Sequence, residues 1–178
     1  SRARAIAEST GNRFVQAPIK TVISIERKLK ETDIGGDINK INDIARNTIA
    51  LDKTESYQSI INQLTAGLER GDFQIKQQLP EKYMGYEGTI VNIKTPDGLN
   101  AETQITNPKM IFGKLPPDES IAQLGKEEVD KIARETGLKP GIGHDIYYEY
   151  ASLTPREKLG PKGQALEKAS IDYYSKLR

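Results

Sequence analysis

The sequence predicts an α/β (α+β) domain built on a mixed sheet of about five strands flanked by helices. Three observations predict it. Short β-branched runs alternate with segments of helical period through the first 107 residues. Two of those runs, in "MGYEGTIVNIKTPDGLNAETQITNP" at 84–108, flank Pro96-Asp97-Gly98, a strong turn signal that joins them as a hairpin. Beyond residue 107 the composition shifts to helical segments punctuated by Pro140, Pro155 and Pro161. Mixed helix and strand order with a hairpin-linked pair argues for a sheet that is neither all parallel nor all antiparallel. The 178 residues read as one domain, with a sheet core at about 18–107 and C-terminal helices at about 118–177.

The elements follow in order. Residues 3 to about 15 carry a weak helical pattern that Pro18 ends. "TVISIERKLKE" then spaces Val22, Ile25 and Leu29 as on a helix, and Gly35-Gly36 close it. "INDIARNTIALD" is a strand near 43–51. "KTESYQSIINQLTAGLERG" is a helix with Thr54 as N-cap, a buried stripe of Tyr57, Ile60, Ile61 and Leu64, and Gly71 at its end. "DFQIKQQLP" is a strand stopped by Pro80, and "NPKMIFGKLPPDES" reads as loop. Helices are expected at about 118–136, 141–153 and 162–177.

Composition excludes several chemistries. There is no Cys and one His, His144, so disulfides, thiolate sites, a Cys nucleophile and a multi-His zinc site are ruled out. No apolar run approaches the roughly 20 residues of a membrane span, and no signal peptide is visible. The start "SRARAIAES", without Met, leaves open that the chain is a piece of something longer. The net charge of +1 carries no polyelectrolyte signal. Within the first 30 residues, however, Arg2, Arg4, Arg13, Lys20, Arg27, Lys28 and Lys30 face only Glu8 and Glu26, an imbalance suited to a phosphate-rich ligand.

Three places carry candidate carboxylates. Asp43 opens a strand, Glu102 lies on the return strand of the hairpin, and Asp145 and Glu149 accompany His144 on a C-terminal helix. Gln104, two residues after Glu102, shares its face. Carboxylates facing one another across a sheet suit Mg²⁺, which takes oxygen ligands and keeps waters for a phosphate. Taken singly, an Asp at a strand start more often serves a turn. Lys20, Ser24 and Lys28 recur every four residues and form one polar stripe if the segment is helical. Tyr86 looks exposed, and Gly85 before it lacks the Cβ that would keep a flat ligand away.

Four blocks, in order and spacing, resemble the synthetase domain of the RelA/SpoT family, the alarmone pyrophosphokinases of nucleotidyltransferase-like fold. "KTVISIERKL" resembles the family's donor-phosphate segment, which implies ATP-binding roles for Lys20, Ser24 and Lys28. "INDIARNTIAL" resembles the strand whose leading Asp binds Mg²⁺, which implies that role for Asp43, with Arg46 near the ATP. "GYEGTIVNI" resembles the segment whose Tyr stacks on the acceptor base, here Tyr86. "AETQIT" resembles the strand whose Glu assists the metal or activates the acceptor, here Glu102 with Gln104 beside it. The resemblance spans roughly 18–107.

The chain departs from the family pattern at Pro18, Thr48 and Thr106, where Arg is usual, and at Ile90, where His is usual. Arg46 is read as lying one strand face away from Thr48. The departures gather on the acceptor side, so adenosine acceptors stand level with guanosine ones. No hydrolase region precedes the synthetase blocks, so the activity implied is synthesis only. "GHDIYYEYASL" resembles a helix found in small or toxin-type members, which implies acceptor contacts for His144 and Tyr148, one helical turn apart.

The resemblance implies transfer of the β,γ-pyrophosphate of ATP to a purine nucleotide's 3′-hydroxyl, giving a (p)ppGpp- or (p)ppApp-type product. It implies action in a cytosol, reached by delivery as a secreted toxin, and an immunity partner. Two alternatives stand beside it: pyrophosphorylation of an RNA (tRNA) 3′ end, and a catalytically inactive nucleotide-binding module.

Overall fold

The structure is a computed structural model that describes residues 1–17, 19–30, 34–52, 57–95 and 98–178. Pro18, the Thr54 cap, and Pro96 and Asp97 of the expected turn lie outside the described residues. The chain divides into two compact units, Ser1–Gln77 with Thr89–Thr106, and Gln78–Gly88 with Asn107–Arg178.

The first unit holds the sheet. In chain order it contains α1 (Arg2–Thr10), β1 (Arg13–Gln16), α2 (Val22–Leu29), β2 (Ala45–Ala50), α3 (Tyr57–Thr65), β3 (Phe73–Gln78), β4 (Gly88–Lys94) and β5 (Asn100–Thr106). The spatial order is β1-β2-β5-β4-β3. β2 runs antiparallel to β1 and parallel to β5, and β4 and β5 form the antiparallel hairpin. The expected mixed, five-stranded α+β sheet is therefore present.

Strand alternation sorts the residues into two faces. Phe14, Ile49, Val91 and Ile105 point one way and meet Ala3, Ile6 and Ala7 of α1 and Ile60, Ile61 and Leu64 of α3. Full burial of each large aliphatic side chain contributes roughly 1.5–3 kcal/mol, so this layer fixes the sheet register. The opposite face is polar where β2, β5 and β4 meet, and the candidate site lies there.

Several boundaries differ from expectation. The helix expected from 3 to about 15 stops at Thr10, where Gly11 takes a left-handed conformation, and Arg13–Gln16 becomes the edge strand β1. Four residues are too few to declare a strand alone; pairing with β2 makes them one. α3 ends at Thr65, ahead of Gly71.

The second unit contains α4 (Pro108–Lys114), α5 (Pro117–Leu124), α6 (Lys126–Thr136), α7 (Ile142–Ser152), α8 (Pro155–Leu159) and α9 (Pro161–Ser175). The expected loop at 107–120 is instead largely helical. Pro108 sits in the first turn of α4, where its missing N–H costs nothing, and Asn107 caps the helix by accepting from the Met110 amide. Gly143 of α7 lets Tyr174 of α9 lie against the helix backbone. Among the described residues, no helix is long and apolar enough to cross a membrane.

Gly85 has φ 90°. A Cβ there would lie 2.8 Å from Ile171 Cα and 3.1 Å from Tyr174 Cβ. The space freed by the glycine is filled by α9, not left for a flat ligand as the sequence suggests. Gly85→Ala is expected to destabilise the protein by about 2–4 kcal/mol, from overpacking plus a backbone conformation that L side chains avoid. Urea unfolding measures it, and an unchanged midpoint would refute the close packing.

Candidate active site

Lys20 is held by backbone pairing. Beyond β1, the Ala17 amide donates to the Arg46 carbonyl at 3.1 Å and the Lys20 amide to the Ile44 carbonyl at 3.2 Å. The chain thus runs beside the head of β2 before Thr21 caps α2. Lys20 precedes the helix, so the expected helical stripe of Lys20, Ser24 and Lys28 does not form as such. Ser24 belongs to the cap: its amide donates to Thr21 Oγ1 at 3.3 Å, and Thr21 Oγ1 donates to its hydroxyl at 3.1 Å.

The two lysines nevertheless converge. Asp43, in the turn before β2, accepts a hydrogen bond at Oδ2 from Lys20 Nζ at 3.0 Å, and Lys28 Nζ lies 3.2 Å from Oδ1. Burial by itself would push the Asp43 carboxyl up. Hydrogen bonds and charge from Lys20 and Lys28 override it and hold the group below its ordinary value of 3.8. Oδ1 is buried, with Lys28 Nζ as its charged partner.

A folded-state value below the unfolded one means that Asp43 stabilises the fold above about pH 4 and loses that contribution as pH falls through the folded value. In a Lys20→Met/Lys28→Met variant the carboxylate is buried without compensation. The stability gap to wild type, read by urea unfolding, is expected to be largest at neutral pH and to narrow below about pH 4. A gap independent of pH would remove Asp43 from the account.

Glu102 is 8% exposed. It faces Arg46 across the parallel β2–β5 pair and Asn92 across the hairpin. Gln104 Nε2 donates to Glu102 Oε1 at 2.8 Å, so the expected Glu–Gln pairing is present. Thr48 and Ile90 are the register partners of Gln104. Arg46 therefore shares a face with Thr48 and Glu102; the expectation that it lay one face away is corrected, because residues two apart on a strand point the same way. Asn100 Nδ2 donates to the Asn39 carbonyl at 2.7 Å and to Asn42 Oδ1 at 2.8 Å, tying the head of β5 to the segment carrying Asp43.

Asn92 escaped the sequence reading. Its signal was available in principle: alternation along β4, counted back across the turn from Glu102, makes it a cross-strand partner.

In the second unit, Tyr86 is 7% exposed, not open to solvent as the sequence suggests. Its ring meets Tyr174 edge-on at 5.8 Å, and Lys114 Nζ lies 4.8 Å from its centroid. His144 and Tyr148 share a face of α7, with ring centroids 4.4 Å apart, and Tyr148 is 64% exposed. Tyr148, like Tyr147 beside it, is an aromatic surface that solvent reaches. A cavity of about 600 Å³ opens on the other face of the sheet, lined by Leu64, Leu68, Ile93 and Thr103 among others, and none of the candidate site residues borders it.

The chain belongs to the RelA/SpoT-like alarmone synthetase family. It is 30% identical over 174 residues, 97% of its length, to the (p)ppApp synthetase toxin Tas1 of Pseudomonas aeruginosa (strain UCBPP-PA14), and spans 38% of that protein. A crystal structure of the complex between the Type VI effector Tas1 and its immunity protein matches at TM-score 0.82 and 30% identity, over 99% of this chain and 87% of that one. The crystal structure of smu.1046c from Streptococcus mutans UA159 matches at TM-score 0.50 and 17% identity, over 97% and 80% of the two chains, which is a likeness of fold alone. No family model matches the chain.

Proposed function

We propose that this chain transfers the β,γ-pyrophosphate of ATP to the 3′-hydroxyl of a purine nucleotide. The observation that carries the reading is the convergence of Lys20 and Lys28 on Asp43 at the head of the strand that pairs with the Glu102 strand. In this reading the ribose 3′-oxygen attacks the β-phosphorus of ATP. The bond from that phosphorus to the α,β-bridging oxygen breaks, and AMP leaves. Glu102 takes the hydroxyl proton, because a ribose hydroxyl is a poor nucleophile until its proton has an acceptor. Gln104 holds the carboxylate in place through Oε1. Lys20, Lys28 and Arg46 hold the donor's phosphates, with Ser24 at the capped start of α2 beside them, and their positive charge neutralises the transferred group.

A divalent cation fits these residues. Asp43 is a partly buried carboxylate held ionised by Lys20 and Lys28, an oxygen donor of the kind a hard cation takes. Among the described residues, no three His, Asp or Glu side chains form a cage, and Mg²⁺ asks for one or two carboxylates with substrate phosphates supplying the rest. Asp43 and Glu102 would hold Mg²⁺, which when bound supplies charge stabilisation to the phosphates.

Within the second unit, the exposed Tyr148 beside His144 offers an acceptor base a stacking surface that the buried Tyr86 does not. Adenosine acceptors are favoured, in line with the Tas1 name. The domain spans residues 1–178, acts in a cytosol, and is neutralised by an immunity protein, as the Tas1 complex suggests by analogy.

The test incubates the protein with γ-labelled ATP, Mg²⁺ and each of AMP, ADP, GDP, GTP and deacylated tRNA. A pyrophosphorylated adenosine nucleotide is expected. Product on tRNA alone would replace the nucleotide reading with the RNA one, and no product from any acceptor would refute transfer.

A further inference from the structure

We propose that Asn92 is a specificity-determining residue: its side-chain oxygen accepts a hydrogen bond from the 2′-hydroxyl of the acceptor ribose and selects ribonucleotides over 2′-deoxyribonucleotides. The inference rests on the pyrophosphate-transfer reading and deepens it. Asn92 is the direct cross-strand partner of Glu102 in the hairpin, and Arg46 is the partner of Glu102 on its other side. A polar row, Asn92, Glu102, Arg46, thus crosses three adjacent strands on one face. Side chains directly opposite on such a pair have Cβ atoms about 4.5–5.5 Å apart, so one small group can touch both.

Asn92 Oδ1 is buried and accepts no hydrogen bond among the described residues. A buried carbonyl oxygen without a donor costs about 1–3 kcal/mol, and native proteins keep few of them. An amide oxygen can only accept, so the missing partner is a donor. Along the same face of β4, the neighbours are Ile90, which has no polar group to compete, and Lys94 at the strand's end, which is exposed. A ribose carries adjacent cis hydroxyls. With the 3′-hydroxyl directed at Glu102, the 2′-hydroxyl is the donor left to reach the residue facing Glu102.

The experiment compares initial rates with ADP and 2′-deoxy-ADP as acceptors, for wild type, Asn92→Ala and the near-isosteric Asn92→Leu. Wild type is expected to prefer ADP by about tenfold or more, since a site built around a substrate hydroxyl rejects the analogue lacking it. Both variants are expected to bring the ratio close to one by losing rate on ADP, not by gaining it on 2′-deoxy-ADP. The ratio is read within one preparation, so partial misfolding of a variant does not move it. Equal use of both acceptors by wild type, or a preference that survives in the variants, overturns the proposal. If wild type makes no product at all, the transfer reading falls, and calorimetric binding of the two nucleotides decides the inference. Weaker binding of 2′-deoxy-ADP that Asn92→Leu equalises sustains it; equal binding by wild type overturns it.

Discussion

Glu102→Gln is expected to cut pyrophosphate transfer by about 10²–10⁴-fold while the protein stays folded. The substitution keeps the size of the side chain and an oxygen for Gln104 Nε2 to bond, and removes the negative charge, and with it the ability to take a proton or to hold a cation. A buried position on the central strand of the sheet is sensitive to volume, which is why the amide is the informative replacement and alanine is not. If the side chain acts as the base, kcat falls and KM for ATP holds, because the proton is transferred in the transition state and not in the bound complex. Single-turnover rates with labelled ATP, with a thermal melt as control, measure both. A variant within about threefold of wild type would take the base role from Glu102.

Asp43→Asn is expected to lower transfer by about 10³-fold or more, by loss of a charged oxygen ligand together with the charge balance of the corner. The same change frees Lys20 and Lys28 from their carboxylate. ATP measured without divalent cation is therefore expected to bind at least as tightly as to wild type, while the gain in affinity on adding Mg²⁺ shrinks. That pair of shifts separates a cation-holding role from a structural one. If Asp43 only pinned the lysines, the melting temperature would fall and the rate per folded molecule would not.

What the sequence revealed depended on how local each cause was. The β4–β5 hairpin was legible because its turn and alternation are written in neighbouring residues, and the Ile60, Ile61, Leu64 stripe of α3 because helical period exposes it. β1 was not, because Arg13–Gln16 becomes a strand only by pairing with β2. α4 was hidden by Pro108, read as a breaker although it opens the helix. Lys20 and Lys28 were assigned to one helical stripe; Lys20 instead lies ahead of the helix, its amide bonded to the Ile44 carbonyl and its Nζ to Asp43. Tyr86 looked exposed because its cover, Tyr174 and Lys114, is supplied by later helices. Except at α4, where the missed signal was the local Asn107 cap, the missing information was a contact between distant parts of the chain.

The parallel pairing of β2 with β5 carries a kinetic consequence. The hairpin that bears Glu102 and Asn92 closes over a few residues, an event of about 1–10 μs. Arg46 reaches Glu102 only when β2 docks beside β5, across the whole of α3, β3 and β4 in sequence. Closing that long loop carries an entropic cost before any contact offsets it, so the docking belongs to the late, slow part of folding. A partly folded chain can possess the hairpin and still lack the row of side chains to which the proposed reaction is assigned. Returning activity in a refolding experiment therefore acts as a clock for the arrival of β2.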